Sequence, residues 1–394
     1  MSPETPFKAS DWIGQGNTMA AAPPRVHRAA KEHFAIPQEF YFDLLPSPMI
    51  SIAKMVDFTV PLEAIPNGAI QPAQFFSQVA PDRVDKDTIF RLRRLPIPER
   101  KIIQKLATAS RQAWFPLWVL TYWTWIIDFK RDVRDRWLTS SDWVAKHKKS
   151  YQKTPKLAAL VNETSHILSV LPWGWAKPAG LSDAEPVHTL WRLLGPHWLA
   201  DSQQNDMLEL LRHKIDADPD LARKFRVQSI ALAPKIIKAH NAGGEAYKTA
   251  REFRWIRDIA DDLVRNQAAL ITSGHLGEIS GEDHWIGLVF DLSHPTPKIR
   301  YGDGFKNHIP QELLTACRWW LAQHTALPAL LEDLPIAEQT DGFSCGMLVD
   351  NCFQHLVDPE IRLSARGENF VPARLEVFNK IAKWALDRVC FPAQ

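Results

Sequence analysis

The eight residues Gln339-Thr340-Asp341-Gly342-Phe343-Ser344-Cys345-Gly346, with Met347-Leu348-Val349 behind them, constrain this chain more than any other stretch. A glutamine stands six residues before a cysteine. The cysteine lies between a small polar residue and a glycine, at the mouth of an apolar, helix-compatible run. That layout suits a nucleophile at a helix N-terminus, where unpaired backbone N–H groups and the positive end of the dipole favour a thiolate. Upstream, His284-Trp285-Ile286-Gly287-Leu288-Val289-Phe290 reads as a strand headed by a histidine. Between the two, Ile299-Arg300-Tyr301-Gly302-Asp303-Gly304 reads as a short strand ending in an acid. A fold for this chain has to bring both strand ends to the start of the helix.

These residue types fit one reaction. A cysteine nucleophile needs a base to take its proton and a group to orient that base. His284 supplies the first and Asp303 the second. The short connection Ser293-His294-Pro295-Thr296-Pro297 pairs the strands antiparallel and puts both side chains at one end of the sheet. An acid accepting from one ring nitrogen fixes the tautomer and stabilises the imidazolium. The backbone N–H of Cys345 and the side-chain amide of Gln339 are candidate donors to an oxyanion. Taken singly, each residue is commonplace. A lone buried cysteine is usually packing, and Cys352 and Cys390 keep that reading. Asp303, flanked by glycines, could be a turn residue, and Gln339 a surface one. Their joint order is what sets them apart.

Composition bounds the rest. With 394 residues, 45% of them hydrophobic and 23% charged, the chain can bury a large core and is expected to hold two domains. Sixteen tryptophans argue for extensive packed surface. Cys317, Cys345, Cys352 and Cys390 all fall in the last 80 residues with no Cys-x-x-Cys pair, which reads as neither a disulfide framework nor a zinc-site spacing. A reducing intracellular compartment fits that usage; the expected location is nuclear or cytoplasmic, with the nucleus favoured. The opening Met1-Ser2-Pro3-Glu4 lacks the features of a secretory signal. Charge is uneven: residues 1–185 hold 24 basic and 18 acidic side chains, and residues 186–394 hold 23 and 27. Over 91–156 the imbalance is 16 to 5. A solvated basic helix face explains it, and nucleic acid or another acidic partner is the alternative.

In chain order, residues 1–100 hold 13 of the 29 prolines and read as extended or partly disordered. Phe40-Tyr41-Phe42 and Met55-Val56-Asp57-Phe58-Thr59-Val60 are candidate short strands there. Residues 101–185 read as a helical, basic, Trp-rich region. Its apolar run over 113–127 is too short and too interrupted for a bilayer span, and reads as a buried helix. The prolines and glycines between Pro172 and Pro186 mark a boundary, so 186–394 forms the last domain. There Asp201 is a candidate helix cap, helices are expected over 219–241 and 247–266, and strands over 269–272, 285–292 and 298–301. Helices return over 310–325, 345–357 and 372–389. Helices before and after a small sheet make the domain α+β.

The segments quoted above resemble the Ulp/SENP family of cysteine peptidases, which cleave SUMO and related ubiquitin-like modifiers. The family's histidine is followed by tryptophan and an apolar strand, as in His284-Trp285-Ile286-Gly287-Leu288. Its acid ends a strand in a Tyr-x-Asp-Ser type motif, matched by Tyr301-Gly302-Asp303-Gly304 with glycine for the usual serine. Its Gln-x-x-Gly-x-x-Cys-Gly corresponds to Gln339 through Gly346, with Ser344 where an aspartate is common. Trp198-Leu199-Ala200-Asp201 matches an early Trp-Leu-x-Asp helix more weakly. The resemblance covers about 190–394 and leaves 1–185 unassigned. It implies a papain-like, Ulp-type α+β domain with a small central mixed sheet flanked by helices, behind a mainly helical N-terminal region. It implies hydrolysis of the peptide or isopeptide bond after a modifier's C-terminal glycine, without metal or cofactor. Trp285 would then lid a narrow substrate tunnel, with Gly346 beside it. SUMO or another ubiquitin-like protein and its conjugates would be the partners.

Two other readings stay open on the residues. One is a non-catalytic binder of a ubiquitin-like protein. The other is a peptidase of a mobile element, with the basic 91–156 segment holding nucleic acid. In each, residues 1–185 serve location or partner choice rather than chemistry.

Overall fold

A computed structural model of the chain describes residues 46–58 (48 aside), 129–174 and 187–389 (280 and 282 aside). The 113–127 run, Phe40-Tyr41-Phe42 and Cys390 lie outside the described residues. Contacts divide the chain into two compact units, residues 1–139 with 169–174, and residues 140–168 with 175–394.

In the first unit the candidate strand at 55–60 begins as a helix. Ile52–Val56 is helical, started by Ser51, whose hydroxyl accepts from Lys54 N at 3.4 Å. Ile52, Met55 and Val56 bury one helical face. The alternation read as strand is instead the i, i+3, i+4 spacing of that face. Ser51 pairs with Pro172 in an isolated bridge, so two distant stretches of chain close this unit.

The second unit is built on a five-stranded sheet in the order β1 (Phe225–Val227), β2 (Ala269–His275), β3 (Trp285–Asp291), β4 (Lys298–Gly302), β5 (Leu330–Asp333). The central β2, β3 and β4 run antiparallel, while β1 and β5 lie parallel to their neighbours. The expected mixed sheet flanked by helices is therefore present, and β2, β3 and β4 fall where the sequence places them. Two strands escape sequence reading. The helix expected over 219–241 is two helices, Pro219–Lys224 and Leu232–Ala242, with β1 between them. Three residues are too few to show a period of two. β5 is a largely exposed edge, with Leu330 and Leu331 facing outward.

All seven residues of β3 are buried, because the sheet has a core on each face. Leu270, Ile286, Leu288, Phe290 and Ile299 pack with the helices Leu232–Ala242, Arg254–Asn266 and Gln311–Ala322. Ile271, Trp285 and Val289 pack on the opposite side with Asp201–Asp216 and Cys345–Val357. Successive strand residues thus feed different layers. Gly287 of β3 lets the second layer come close. A Cβ there would lie 3.0 Å from Leu334 Cδ2 and 3.2 Å from Phe353 Cε1 on the Cys345–Val357 helix.

Residues 155–168, assigned by composition to the preceding region, belong to this same unit. Within Pro155–Val170, the buried Thr164 hydroxyl donates to Asn379 Oδ1 at 2.9 Å, and Asn379 Nδ2 donates to Glu163 Oε2 at 3.1 Å. We therefore expect a fragment starting near residue 140 to be soluble and active on a generic probe. One starting at 186 would strip the buried Asn379 of its partners Thr164 and Glu163, lose the buried Val161, Ile167 and Leu168, and aggregate. Size-exclusion chromatography and probe turnover of 140–394 and 186–394 check this, and equal behaviour of the two fragments would refute it.

Candidate active site

His284 sits immediately before β3 and Asp303 immediately after β4. The antiparallel register pairs Gly287 with Gly302, so the two side chains leave the sheet at one end, as the short connection requires. His284 Nε2 and Asp303 Oδ1 are 2.8 Å apart. Three further contacts hold the acid: Tyr301 Oη donates to Oδ2 at 3.2 Å, Phe305 N donates to Oδ1 at 2.6 Å, and Lys306 N donates to its carbonyl at 3.0 Å. Extending the register sets Phe305 opposite His284, and the two rings stack with centroids 4.6 Å apart. Asp283, the other nearby acid, faces away. It lies 3.5 Å from His275 and is largely exposed.

Cys345 opens the helix Cys345–Val357, with Ser344 as its N-cap. Its backbone N–H therefore has no acceptor within the helix. Four residues earlier, Asp341 organises the approach. Its Oδ1 accepts from Phe343 N at 2.9 Å and Ser344 N at 2.8 Å, and its Oδ2 accepts from Ser344 Oγ at 2.7 Å. The family's aspartate before the cysteine is Ser344 here. Asp341 brings a carboxylate onto the same turn from a different position.

The imidazole completes the set. Burial pulls the His284 pKa down, but the hydrogen bonds to Asp303 and Cys345 outweigh it and raise the value from 6.5 to about 9. Nε2 is taken by Asp303, and Nδ1 is buried without a nitrogen or oxygen partner. The Cys345 thiol is thus the group left for Nδ1. An imidazolium that persists to about pH 9 favours the thiolate beside it. By contrast, burial pushes the Cys317 and Cys352 thiols up to about 12, which leaves them inert at neutral pH.

Gln339 joins the two halves of the site. Its backbone N donates to Gly304 O at 2.7 Å, and its Nε2 donates to Asp341 O at 2.7 Å. A Cβ on Gly304 would come within 3.2 Å of Gln339 Cβ, so a glycine at 304 makes room for this glutamine. Nε2 also lies 3.5 Å from Asp341 Oδ1, so both side-chain amide contacts of Gln339 go to Asp341.

Trp285, whose lid role the resemblance implies, is buried. Its indole donates to Leu199 O at 2.8 Å and packs on His275 at 4.7 Å. Gly346 is a point of close approach: a Cβ there would sit 2.8 Å from Gln204 Oε1 and 3.1 Å from Leu199 Cδ1. The helix expected to be capped by Asp201 is capped one residue earlier, at Ala200, whose N–H is taken by Gln203 Oε1 at 3.1 Å. Sequence reading passed over Asp341, Phe305 and Gln204. Only Asp341 carried a signal, as an acidic residue poised to bond the N–H groups entering a helix.

No protein-family model and no curated protein matches the sequence. Solved structures similar to the chain include the C-terminal Ulp1 protease domain in complex with Smt3, the yeast ortholog of SUMO. That pair is 17% identical, with 57% of this chain and 96% of that chain covered and a TM-score of 0.40. SUMO protease Ulp1 with its catalytic cysteine oxidised to a sulfinic acid matches at 16% identity, 57% and 95% coverage, and a TM-score of 0.42. The catalytic domain of the Chaetomium thermophilum Ulp1-like SUMO protease matches at 14%, 57% and 88%, and 0.38.

Proposed function

We propose that this protein is a cysteine peptidase hydrolysing the peptide or isopeptide bond after the C-terminal glycine of SUMO or a related ubiquitin-like modifier. The observation that carries the reading is the buried His284–Asp303 hydrogen bond at 2.8 Å, with the second ring nitrogen left for a cysteine at a helix N-terminus. Nδ1 of His284 takes the Cys345 proton, and the thiolate attacks the scissile carbonyl. Cys345 N–H and the side-chain amide of Gln339, turned from its contacts with Asp341, hold the oxyanion. The imidazolium then gives its proton to the leaving amine, and water releases the acyl group by the reverse steps.

Burial supports the choice of substrate. Cys345 is 1% exposed and His284 2%, so a side chain-bearing segment of a folded protein has little room to reach the sulfur. A chain end made of glycine is thin enough, and the motif resemblance points the same way. The test is a panel of modifiers carrying a thiol-reactive group in place of the C-terminal carboxylate. Covalent capture of Cys345 by one or more members, read by mass spectrometry, is the expected result. Tight binding without capture would instead indicate a non-catalytic binder, and no interaction with any member would remove the modifier assignment.

Gln339→Ala should slow acylation by about 10²- to 10³-fold, the usual effect of removing one oxyanion donor. Stopped-flow release of a fluorogenic leaving group reports it. An unchanged burst rate would reduce Gln339 to its contacts with Gly304 and Asp341.

A further inference from the structure

Behind the nucleophile lies a charge that the catalytic set does not use. Arg374, on the helix Val371–Val389, is 2% exposed. Its Nη1 donates to Arg192 O at 3.1 Å, and its Nη2 donates to His197 O at 2.9 Å and Phe343 O at 3.1 Å. The guanidinium also lies 5.6 Å from the centre of the Phe343 ring. The carbonyls come from two stretches of chain, 192–197 and the approach to Cys345. Phe343 lies two residues before Cys345, and His197 two residues before Leu199, whose carbonyl holds the Trp285 indole.

All three acceptors are neutral. Among the described residues no carboxylate comes within ion-pair distance of Arg374, and its Nε is buried without a partner. Three carbonyls could be bridged by neutral donors at less cost than by a buried cation. A full charge in this place therefore calls for an anion that benefits from it. Two candidates lie on the loop it holds: the Asp341 carboxylate and the Cys345 thiolate. Burial lowers the arginine's pKa from 12.5 to about 10, while Asp341 and Cys345 each pull it back up. Asp341 is already bonded to two backbone N–H groups and a hydroxyl. The thiolate is the anion with fewer donors of its own.

We propose that Arg374 is a positioning residue for the nucleophile, locking the 343–345 approach to the neighbouring 192–199 segment and supplying a fixed positive charge that favours the Cys345 thiolate. The inference rests on Cys345 being the nucleophile. It adds a third source of thiolate stabilisation to the imidazolium and the helix N-terminus, from an element more than twenty residues further along the chain.

The test uses the full chain carrying Cys390→Ser, so that the only other thiols are Cys317 and Cys352, both pushed up to about 12 by burial. The rate of iodoacetamide alkylation at Cys345 is followed by mass spectrometry across pH 4–10 in that background and with Arg374→Gln, Arg374→Met and Arg374→Lys. Gln keeps donors without charge, Met keeps length without either, and Lys keeps charge. The expected result is an alkylation midpoint raised by about one pH unit in Gln and Met, a tenfold loss of thiolate in the rising limb. Lys should restore part of it. Turnover of a modifier probe should fall in step, with KM changing little. Folded Gln and Met variants with an unshifted midpoint would overturn the proposal, as would a failure of all three variants to fold. If instead the alkylation midpoint of Cys345 in the parent equals that of a thiol in an unfolded peptide, the peptidase reading itself fails.

Discussion

Cys345→Ala should abolish hydrolysis of a modifier probe, a loss on the order of 10⁶-fold in turnover, while the chain still folds and still binds the modifier. The size follows from what is removed. Without the sulfur there is no acyl-enzyme, and only binding and the oxyanion donors remain to act on an attacking water. The fold tolerates the change because a single sulfur is lost, and the helix start is held by Asp341 and Ser344 rather than by the thiol. The comparison variant is Cys352→Ala, on the same helix. That thiol is buried and pushed up to about 12, so its loss should leave turnover near the parent value. The measurement is steady-state release from a fluorogenic modifier conjugate, with binding of each variant followed by calorimetry. Full activity in Cys345→Ala together with a dead Cys352→Ala would reverse the assignment.

Asp303→Asn should lower kcat by as much as about 10⁴-fold, the loss recorded when the acid of a hydroxyl-based triad becomes an amide, with a much smaller change in KM. An asparagine still fits between Tyr301 Oη, Phe305 N and His284, so ring position survives. The charge does not. His284 now holds its proton up to about pH 9, with the Asp303 hydrogen bond the largest of the contributions that raise it. In the parent, kcat/KM should fall as pH rises through about 9, when the proton donor to the leaving amine is lost. In Asp303→Asn that alkaline limb should move down by a unit or more, toward the value that burial alone would set. Stability follows the same sign. The His284 pKa lies above its unfolded value near 6.5, so its contribution is complete below about pH 6.5 and disappears as pH rises through about 9. Urea unfolding of the parent and the variant at pH 6 and pH 10 would separate the two: the gap between them should be wide at pH 6 and narrow at pH 10. An equal gap at both values would mean that another group carries the shift.

What was legible in the sequence was whatever has a short-range signature. The helix Cys345–Val357 is read to the residue, because a cap-like serine, an apolar run and a following Asp358 bound it on both sides. The pairing of β3 with β4 is read because a five-residue connection leaves few other geometries. β1 and the exposed edge β5 were missed because their partners lie some forty and thirty residues away. Nothing local distinguishes three strand residues from the end of a helix. Arg374 illustrates the limit most plainly. In sequence it is one basic residue in an amphipathic helix, and only the fold reveals that its guanidinium reaches the loop before Cys345. Burial of a charge is a tertiary fact with no sequence period.

The burial of β3 on both faces has an evolutionary consequence. Each of its positions answers to one core or the other, and Gly287 answers to both Leu334 and Phe353. The candidate base His284 is thus hung on a strand with little freedom to drift. In a saturation-mutagenesis map, tolerance over 284–291 would be low throughout, and counts of surviving variants alone would not tell the base from its scaffold. Exposed Phe305, stacked on that same histidine from a loop, is the position where substitution could retune the imidazole without disturbing the sheet.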